Sequence, residues 1–444
     1  MEETLVNLIS FTDFFILLAY AFLFAFILKN YIFKSLPPGQ KKLLLIFFYL
    51  KVFFVAIHSL MLVYVWKLGD SVFIYSEAKN LVQLIDRDFS NIKYIFTPVS
   101  SYRSLVNLDN NLILQTGSSM ENNFFLTRVS VLLYPLALGK YLLISFGYAA
   151  FSTVGVFKLY LTFLKIYPKH KKNITLSILF IPTMLFYSSP IFKETLCYAI
   201  MGFCAEHVYN LFNKKGSLAD VVWLAINVVF LYIVKAYVLY AITLGIGLAY
   251  AFTFLYRLYI KSLIGKISVL MIIGLVGLCF YLASNLIDPA IASFAQDANL
   301  FQELYNDGAS TSSFEIGEIP TDFTGLLLKT PIALYTTYYR PHLWEAKNVM
   351  VLFSAMESSA ILVLTLVAFA KKGRYFTAIL KESFISRVML FYIIILGILI
   401  GLTTFNFGSL VRYKVPAEPF LWILMFMLWK YKPAAKALPV ENQV

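Results

Sequence analysis

Charge is what this sequence has least of: Asp, Glu, Lys and Arg make up 14% of its 444 residues, against 60% hydrophobic ones. A soluble domain carries about 25% charged and about 45–50% apolar residues. That balance, with a mean hydropathy of +0.76, excludes an ordinary soluble domain and predicts an all-α polytopic integral membrane protein. Cysteine is almost absent as well. Cys197, Cys204 and Cys279 all fall inside apolar runs, without metal-ligand spacing or loop partners, so they read as packing residues rather than a disulfide framework. The Walker sequence, the G-x-S-x-G elbow, the H-E-x-x-H pair and a glycine-rich nucleotide loop are all missing. The first apolar run follows Glu2 and Glu3 and lacks a small-residue cleavage site. We expect it to stay as a helix rather than be removed as a signal peptide.

What is there in abundance is apolar runs. A span takes about 20 such residues. Segmenting at charge, Pro and Gly predicts about eleven transmembrane helices, at 14–33, 43–66, 141–164, 174–187, 191–212, 218–234, 236–256, 267–287, 349–370, 388–404 and 415–429. An outside N-terminus and a cytoplasmic C-terminus then put most of the basic residues into inner loops, as the positive-inside rule requires. The net charge of +13 therefore reads as membrane anchoring and not as nucleic-acid binding. The same rule disfavours a twelfth span at 122–139, which we expect to be an interfacial or re-entrant helix broken near Pro135 and Gly139. Within a single membrane domain, 1–444, two outer segments are long, 67–140 and 288–348. Loops of that length in a compact fold are usually functional.

The stretch "GDSVFIYSEA" opens the first of these segments. If a helix starts at Ser71, Asp70 and Glu77 are two turns apart and share a face. Asp70 is equally suited to cap that helix, and Glu77 to face water. "DRD" at 86–88 has the D-x-D form of a metal-holding pair, although a solvated charged turn is several times more common for so short a pattern. Lys193 and Glu194 in "SSPIFKETL", Lys235 in "YIVKAYV", and Arg412 and Lys414 around Tyr413 in "GSLVRYKVPAEP" lie at outer helix ends. Snorkelling to headgroups would account for each cation singly. Four of them in short outer connections run against the topological bias, and Lys and Arg are natural donors to a lipid-linked phosphate. "YYRPHLWEAKN" gathers Arg340, His342, Trp344 and Glu345. An aromatic belt is its default role, and a sugar-binding surface the other. Lys51, His58, Glu206 and His207 fall within spans, where ionisable groups are functional hypotheses by default. They do not form the carboxylate chain of a proton-coupled pump.

Taken together, "GDSVFIYSEA", "SSPIFKETL", "YYRPHLWEAKN" and "FGSLVRYKVPAEP" resemble segments of the GT-C class of polytopic glycosyltransferases and of bacterial surface-polysaccharide (O-antigen) polymerases. GT-C proteins usually carry the large loop after the first span, whereas here it follows the second. The resemblance implies transfer of a sugar from a polyprenyl-phosphate donor to a glycan, lipid or protein acceptor, at the outer face of a bacterial inner membrane. It implies Asp70 as the catalytic residue with Glu77 in support, and Tyr75, Lys193, Glu194, Lys235, Arg340, Trp344, Glu345, Arg412, Tyr413 and Lys414 as substrate-binding residues. A divalent cation, Mg or Mn, serves some members, while those without a metal use a single Asp as base, and that version fits this sequence. Membrane lipids are expected partners and nucleic acid is not. The rival readings are a polymerase or ligase acting on a polyprenyl-diphosphate glycan, a flippase or transporter, and a non-catalytic partner of a secretion machine.

Overall fold

The computed structural model describes residues 8–66, 69–108, 121–213, 216–261, 263–305 and 312–432. Among them the structure is helical with no sheet, and an isolated antiparallel bridge joins Ser313 to Asn406. The first helix, α1 (Phe11–Ile27), starts where Asp13 accepts from the Ser10 backbone N–H at 2.9 Å. It continues into a π-helical turn, Leu28–Ile32. Pro37 and Pro38 then open α2 (Pro38–Met61), proline being suited to a first turn that has no N–H partner to lose.

The segment expected as the first long outer loop is a folded helical unit. It holds α3 (Asp70–Arg87), α4 (Val99–Leu108) and α5 (Glu121–Leu133). In α3 the buried side chains are Ser71, Ile74, Glu77, Ala78, Leu81 and Leu84, a helical stripe at intervals of three and four. Ala78, Leu81 and Leu84 share a small core of their own with Ile95, Val99, Tyr102, Phe124 and Val131. α5 rests on the main bundle, its Leu126 carbonyl accepting from the Tyr148 hydroxyl at 2.8 Å. It gives way to a turn in which Leu138 and Gly139 have φ of 51° and 66°, at the place the sequence marked as a break.

Next come α6 (Tyr141–Ile166), α7 (Lys171–Leu179), α8 (Pro182–Tyr187) and α9 (Lys193–Phe212). The span expected at 174–187 is thus two short helices, because Pro182 has no N–H with which to continue the ladder. α6 and α9 touch backbone to backbone. A Cβ on Gly202 would lie 1.9 Å from the Gly155 carbonyl oxygen, and one on Gly155 2.3 Å from that of Ala199. Small residues permit this approach and the dispersion contact it brings. Gly202→Val should therefore lower the thermal midpoint in detergent by an amount equivalent to about 1–3 kcal/mol. Gly247→Val, with no atom within 4 Å of the added Cβ, should leave it unchanged.

α10 (Leu218–Lys261) would be about 66 Å long if straight, twice a bilayer core of about 30 Å. It is a hairpin. Lys235 leaves the helical region at φ −152°, ψ 80°, and the Tyr232 and Tyr240 rings meet across the bend at 6.3 Å. Before the bend α10 runs antiparallel to α9, with Asp220 on His207 and Lys235 on Glu194. After it, Tyr250 packs on Phe384 at 4.6 Å.

The second long segment, expected as an outer loop at 288–348, is also largely helix. α11 (Leu263–Leu304) continues past Pro289, and α12 (Phe323–Tyr339) packs into the bundle. Helices α13 (Val349–Lys372), α14 (Phe376–Glu382), α15 (Phe384–Thr403), α16 (Phe407–Tyr413) and α17 (Glu418–Trp429) complete the described helices. α12 is antiparallel to α15: Thr337 donates to the Gly397 carbonyl and Tyr338 to that of Ile393, both at 2.7 Å. It ends against the middle of α15, and the chain turns back there.

Among the described residues six helical stretches are long and apolar enough to cross a membrane: Phe11–Ile32, Pro38–Trp66, Tyr141–Ile166, Leu218–Ile260, Val349–Glu382 and Phe384–Thr403. Of the other expected runs, 174–187 is divided between the short α7 and α8, α9 is more polar along its length, the two at 218–234 and 236–256 are the arms of the α10 hairpin and count as one stretch, much of 267–287 has side chains outside the described residues, and α17 has only 12 residues. Cys197 is buried and Cys204 half-buried. The Cys279 side chain lies outside the described residues, as do Lys214 and Lys215.

Candidate functional site

α2, α9, α10 and α16 converge where α2 gives way to α3. Gly69 is the N-cap of α3 and Asp70 its first helical residue, so Asp70 is not the cap that the sequence allowed. Its Oδ2 accepts instead from Arg412 Nη1 at 2.9 Å. The Asp70 side chain is 59% exposed and that of Arg412 22%. Deeper in, Arg412 Nη2 stands 3.8 Å from Glu194 Oε2, and Lys235 Nζ donates to Glu194 Oε1 at 2.8 Å. Glu194 and Lys235 are both fully buried. Acid and base thus alternate from the rim inward.

Local structure explains each position. Glu194 sits in the first turn of α9, where the helix dipole favours a carboxylate. Lys235 occupies the bend of the α10 hairpin. Lys193 is the fifth charge, within electrostatic reach of Asp70, Glu194, Lys235 and Arg412, and it makes none of their ion pairs. Three cations against two carboxylates leave the cluster formally positive. Aromatic faces support the cations, with Phe192 4.5 Å from the Arg412 guanidinium and Tyr413 4.9 Å from the Lys235 ammonium. Burial works against the Arg412 charge, but the Glu194 and Asp70 carboxylates outweigh it and hold its pKa above the ordinary arginine value. Arg412 Nε and Glu194 Oε2 have no hydrogen-bond partner among the described residues.

Lys51 does not snorkel. It is fully buried, and its ammonium donates to Ser152 Oγ at 2.7 Å, to Ser188 Oγ at 3.0 Å and to the Ser188 carbonyl. It pins the "SSP" turn from which Lys193 and Glu194 project. His58 packs edge-on to Phe192 at 5.0 Å, behind Arg412. At the opposite end of α9, Glu206 pairs with Lys158 and His207 with Asp220.

Several residues expected here lie elsewhere. Glu77 accepts from the Tyr102 hydroxyl at 2.6 Å inside the small core, so the two carboxylates do not converge. Burial and that carboxylate push the Tyr102 pKa well above the usual tyrosine value. Tyr75 donates to the Gly139 carbonyl at 2.8 Å, holding the turn after α5. Arg340 is bound to Glu345, with Nε 2.9 Å from Oε1, and its guanidinium lies 4.7 Å from the Phe314 ring. Burial works against the Glu345 charge, but Arg340 and the His342 N–H hold its pKa below the usual glutamate value. Trp344 is exposed and stacked on His342 at 4.6 Å.

Lys414, two residues from Arg412, is buried on the other side of α16. It reaches Ser358 Oγ at 3.1 Å and Glu418 Oε1 at 3.7 Å. Glu357 stands beside it, accepting from the Thr183 N–H at 3.1 Å and from the Thr183 hydroxyl. Glu357 and Glu418 went unremarked in the sequence, where a carboxylate inside an apolar run was the available signal.

The D-x-D motif is a turn: Asp88 accepts from the Ser90 N–H at 2.9 Å and caps the 3₁₀ turn Phe89–Ile95. Among the described residues no three His, Cys, Asp or Glu side chains are grouped to hold a metal.

Fold and cluster together describe an all-helical protein of the polytopic membrane type with a charged site at one end of its bundle. No protein-family model, curated protein or solved structure matches the chain.

Proposed function

We propose that the protein is a metal-independent sugar transferase that takes a glycosyl group from a polyprenyl-phosphate donor at the outer face of a bacterial inner membrane. The observation that carries this reading is the Asp70–Arg412–Glu194–Lys235 series, with an exposed carboxylate in front of cations held by buried groups. The outer location rests on the distribution of basic residues and on the resemblance to GT-C segments.

The donor phosphate binds Arg412 and Lys193. In doing so it displaces Asp70 from Arg412 and frees the carboxylate to accept a proton. Asp70 takes the proton of the acceptor hydroxyl while that oxygen forms a bond to the anomeric carbon. The bond from that carbon to the phosphate oxygen breaks, and the phosphate leaves with the electron pair. Cations already in place stabilise the charge that develops on it. Glu194 and Lys235 hold Arg412 in position without touching substrate, and Tyr413 lines the same side.

Incubating purified protein with a panel of polyprenyl-phosphate sugars and a bacterial glycolipid acceptor extract should yield a glycosylated product by mass spectrometry. Failure across the panel, with no glycan-linked lipid copurifying, overturns the reading. The transporter alternative gains one observation, the buried Lys51, Glu357, Lys414 and Glu418 inside the bundle. It requires movement of the labelled lipid across sealed vesicles without any new glycosidic bond.

A further inference from the structure

At the end of α2 remote from Asp70, a cavity of about 880 Å³ opens on the surface between α2 and the π-helical turn after α1. Its floor is one stripe of α2, from Pro38 to Phe53 at intervals of three and four residues, with Ile46, Tyr49 and Phe53 exposed along it. Its mouth carries Lys29, Lys41 and Lys42. The π-helical turn, with its wider coil, places Lys29 opposite the first turn of α2.

The dimensions match one kind of occupant. Fifteen residues of helix rise about 22 Å, which is one leaflet of hydrocarbon, about 15 Å, plus part of the headgroup layer. The walls are apolar throughout that length, and the only charges stand together at one end. Among the described residues none of the three lysines has an ion-pair partner. A free acyl chain would leave the lysines without a counter-charge, and a soluble anion would leave the stripe uncovered.

We infer that this groove is a binding site for an anionic glycerophospholipid of the leaflet at the lysine end, its phosphate held by Lys29, Lys41 and Lys42 and an acyl chain laid along α2. The site is independent of sugar transfer, since it lies at the opposite end of α2 from Asp70. A basic mouth over an apolar groove is the usual arrangement for headgroup recognition between helices.

Native mass spectrometry of the purified chain tests this, with phosphatidylglycerol, phosphatidylcholine and undecaprenyl phosphate each titrated from mixed micelles. Phosphatidylglycerol should bind more tightly than phosphatidylcholine. Its affinity should fall on the order of tenfold to a hundredfold in the triple variant Lys29→Gln, Lys41→Gln, Lys42→Gln. Ile46→Trp, a lipid-facing change that keeps every charge, should also displace it by filling the groove, so the inference stays testable if the triple variant does not fold. Equal retention of phosphatidylcholine, undecaprenyl phosphate binding that falls in the triple variant as much as that of phosphatidylglycerol, or unchanged binding in Ile46→Trp would each overturn it.

Discussion

Asp70→Asn should reduce sugar transfer by about 10²–10⁴-fold, the range a positioned general base contributes, while leaving the fold intact. The amide keeps the shape of the carboxylate and can still accept a bond from Arg412, but it cannot take a proton. The stability cost should stay under about 1 kcal/mol, because the Asp70–Arg412 pair is exposed on its acidic side, 59% at Asp70, and such pairs are screened. Arg412→Ala should act differently. It removes the cation that the donor phosphate needs, so the apparent KM for donor should rise alongside the loss of kcat. Steady-state kinetics in detergent, paired with a thermal melt, separate the two. Full transfer activity in Asp70→Asn would remove Asp70 from the role of base.

The second large effect is expected at Lys414, and it falls on stability. Lys414→Met takes a cation from among Glu357, Glu418 and Ser358, where both Lys414 and Glu418 are 1% exposed. Glu418 is then left buried beside Glu357 without its counter-charge, and breaking a buried pair in this way costs about 3–5 kcal/mol. The melting temperature should drop accordingly, and Lys414→Met with Glu418→Gln should recover part of the loss, because the second change removes the stranded charge. Had Lys414 held the donor phosphate, Lys414→Met would impair transfer with no change in the melt.

Arg412 and Lys414 show where the sequence stopped being legible. Both could be assigned to one end of the bundle, because cations in short outer connections are rare and therefore informative. Which way each points could not be read. Residues two apart on a helix face opposite sides, and α16 lies between the Asp70–Glu194–Lys235 cluster and the Ser358–Glu418 one, so one cation went to each. The pairing of Glu194 with Lys235 was hidden for another reason: it needs α9 and α10 to be antiparallel neighbours, a fact of packing. The α10 hairpin itself was legible, since Lys235 interrupts an apolar run too long for one span. α12 was not, because Lys329 and Pro331 within "FTGLLLKTPIALYTTYY" give it the look of a loop, while its partner surface on α15 decides that it is packed. The seven-residue spacing of Asp70 and Glu77 placed them on one face of α3, but that face changes neighbours along its length. Its first turn meets Arg412 and its third meets Tyr102.

α16 is only seven residues long, and a helix that short has little rigidity of its own. Lys414, just past its last turn, is fixed in the interior by Ser358 and Glu418, while Asn406 at its start accepts from the Gly408 N–H at 2.6 Å. The segment that presents Arg412 is therefore clamped at both ends, like a short beam with built-in supports. An incoming phosphate meets a guanidinium that does not have to be reoriented, which is the condition under which fixed charge favours a transition state over bulk water.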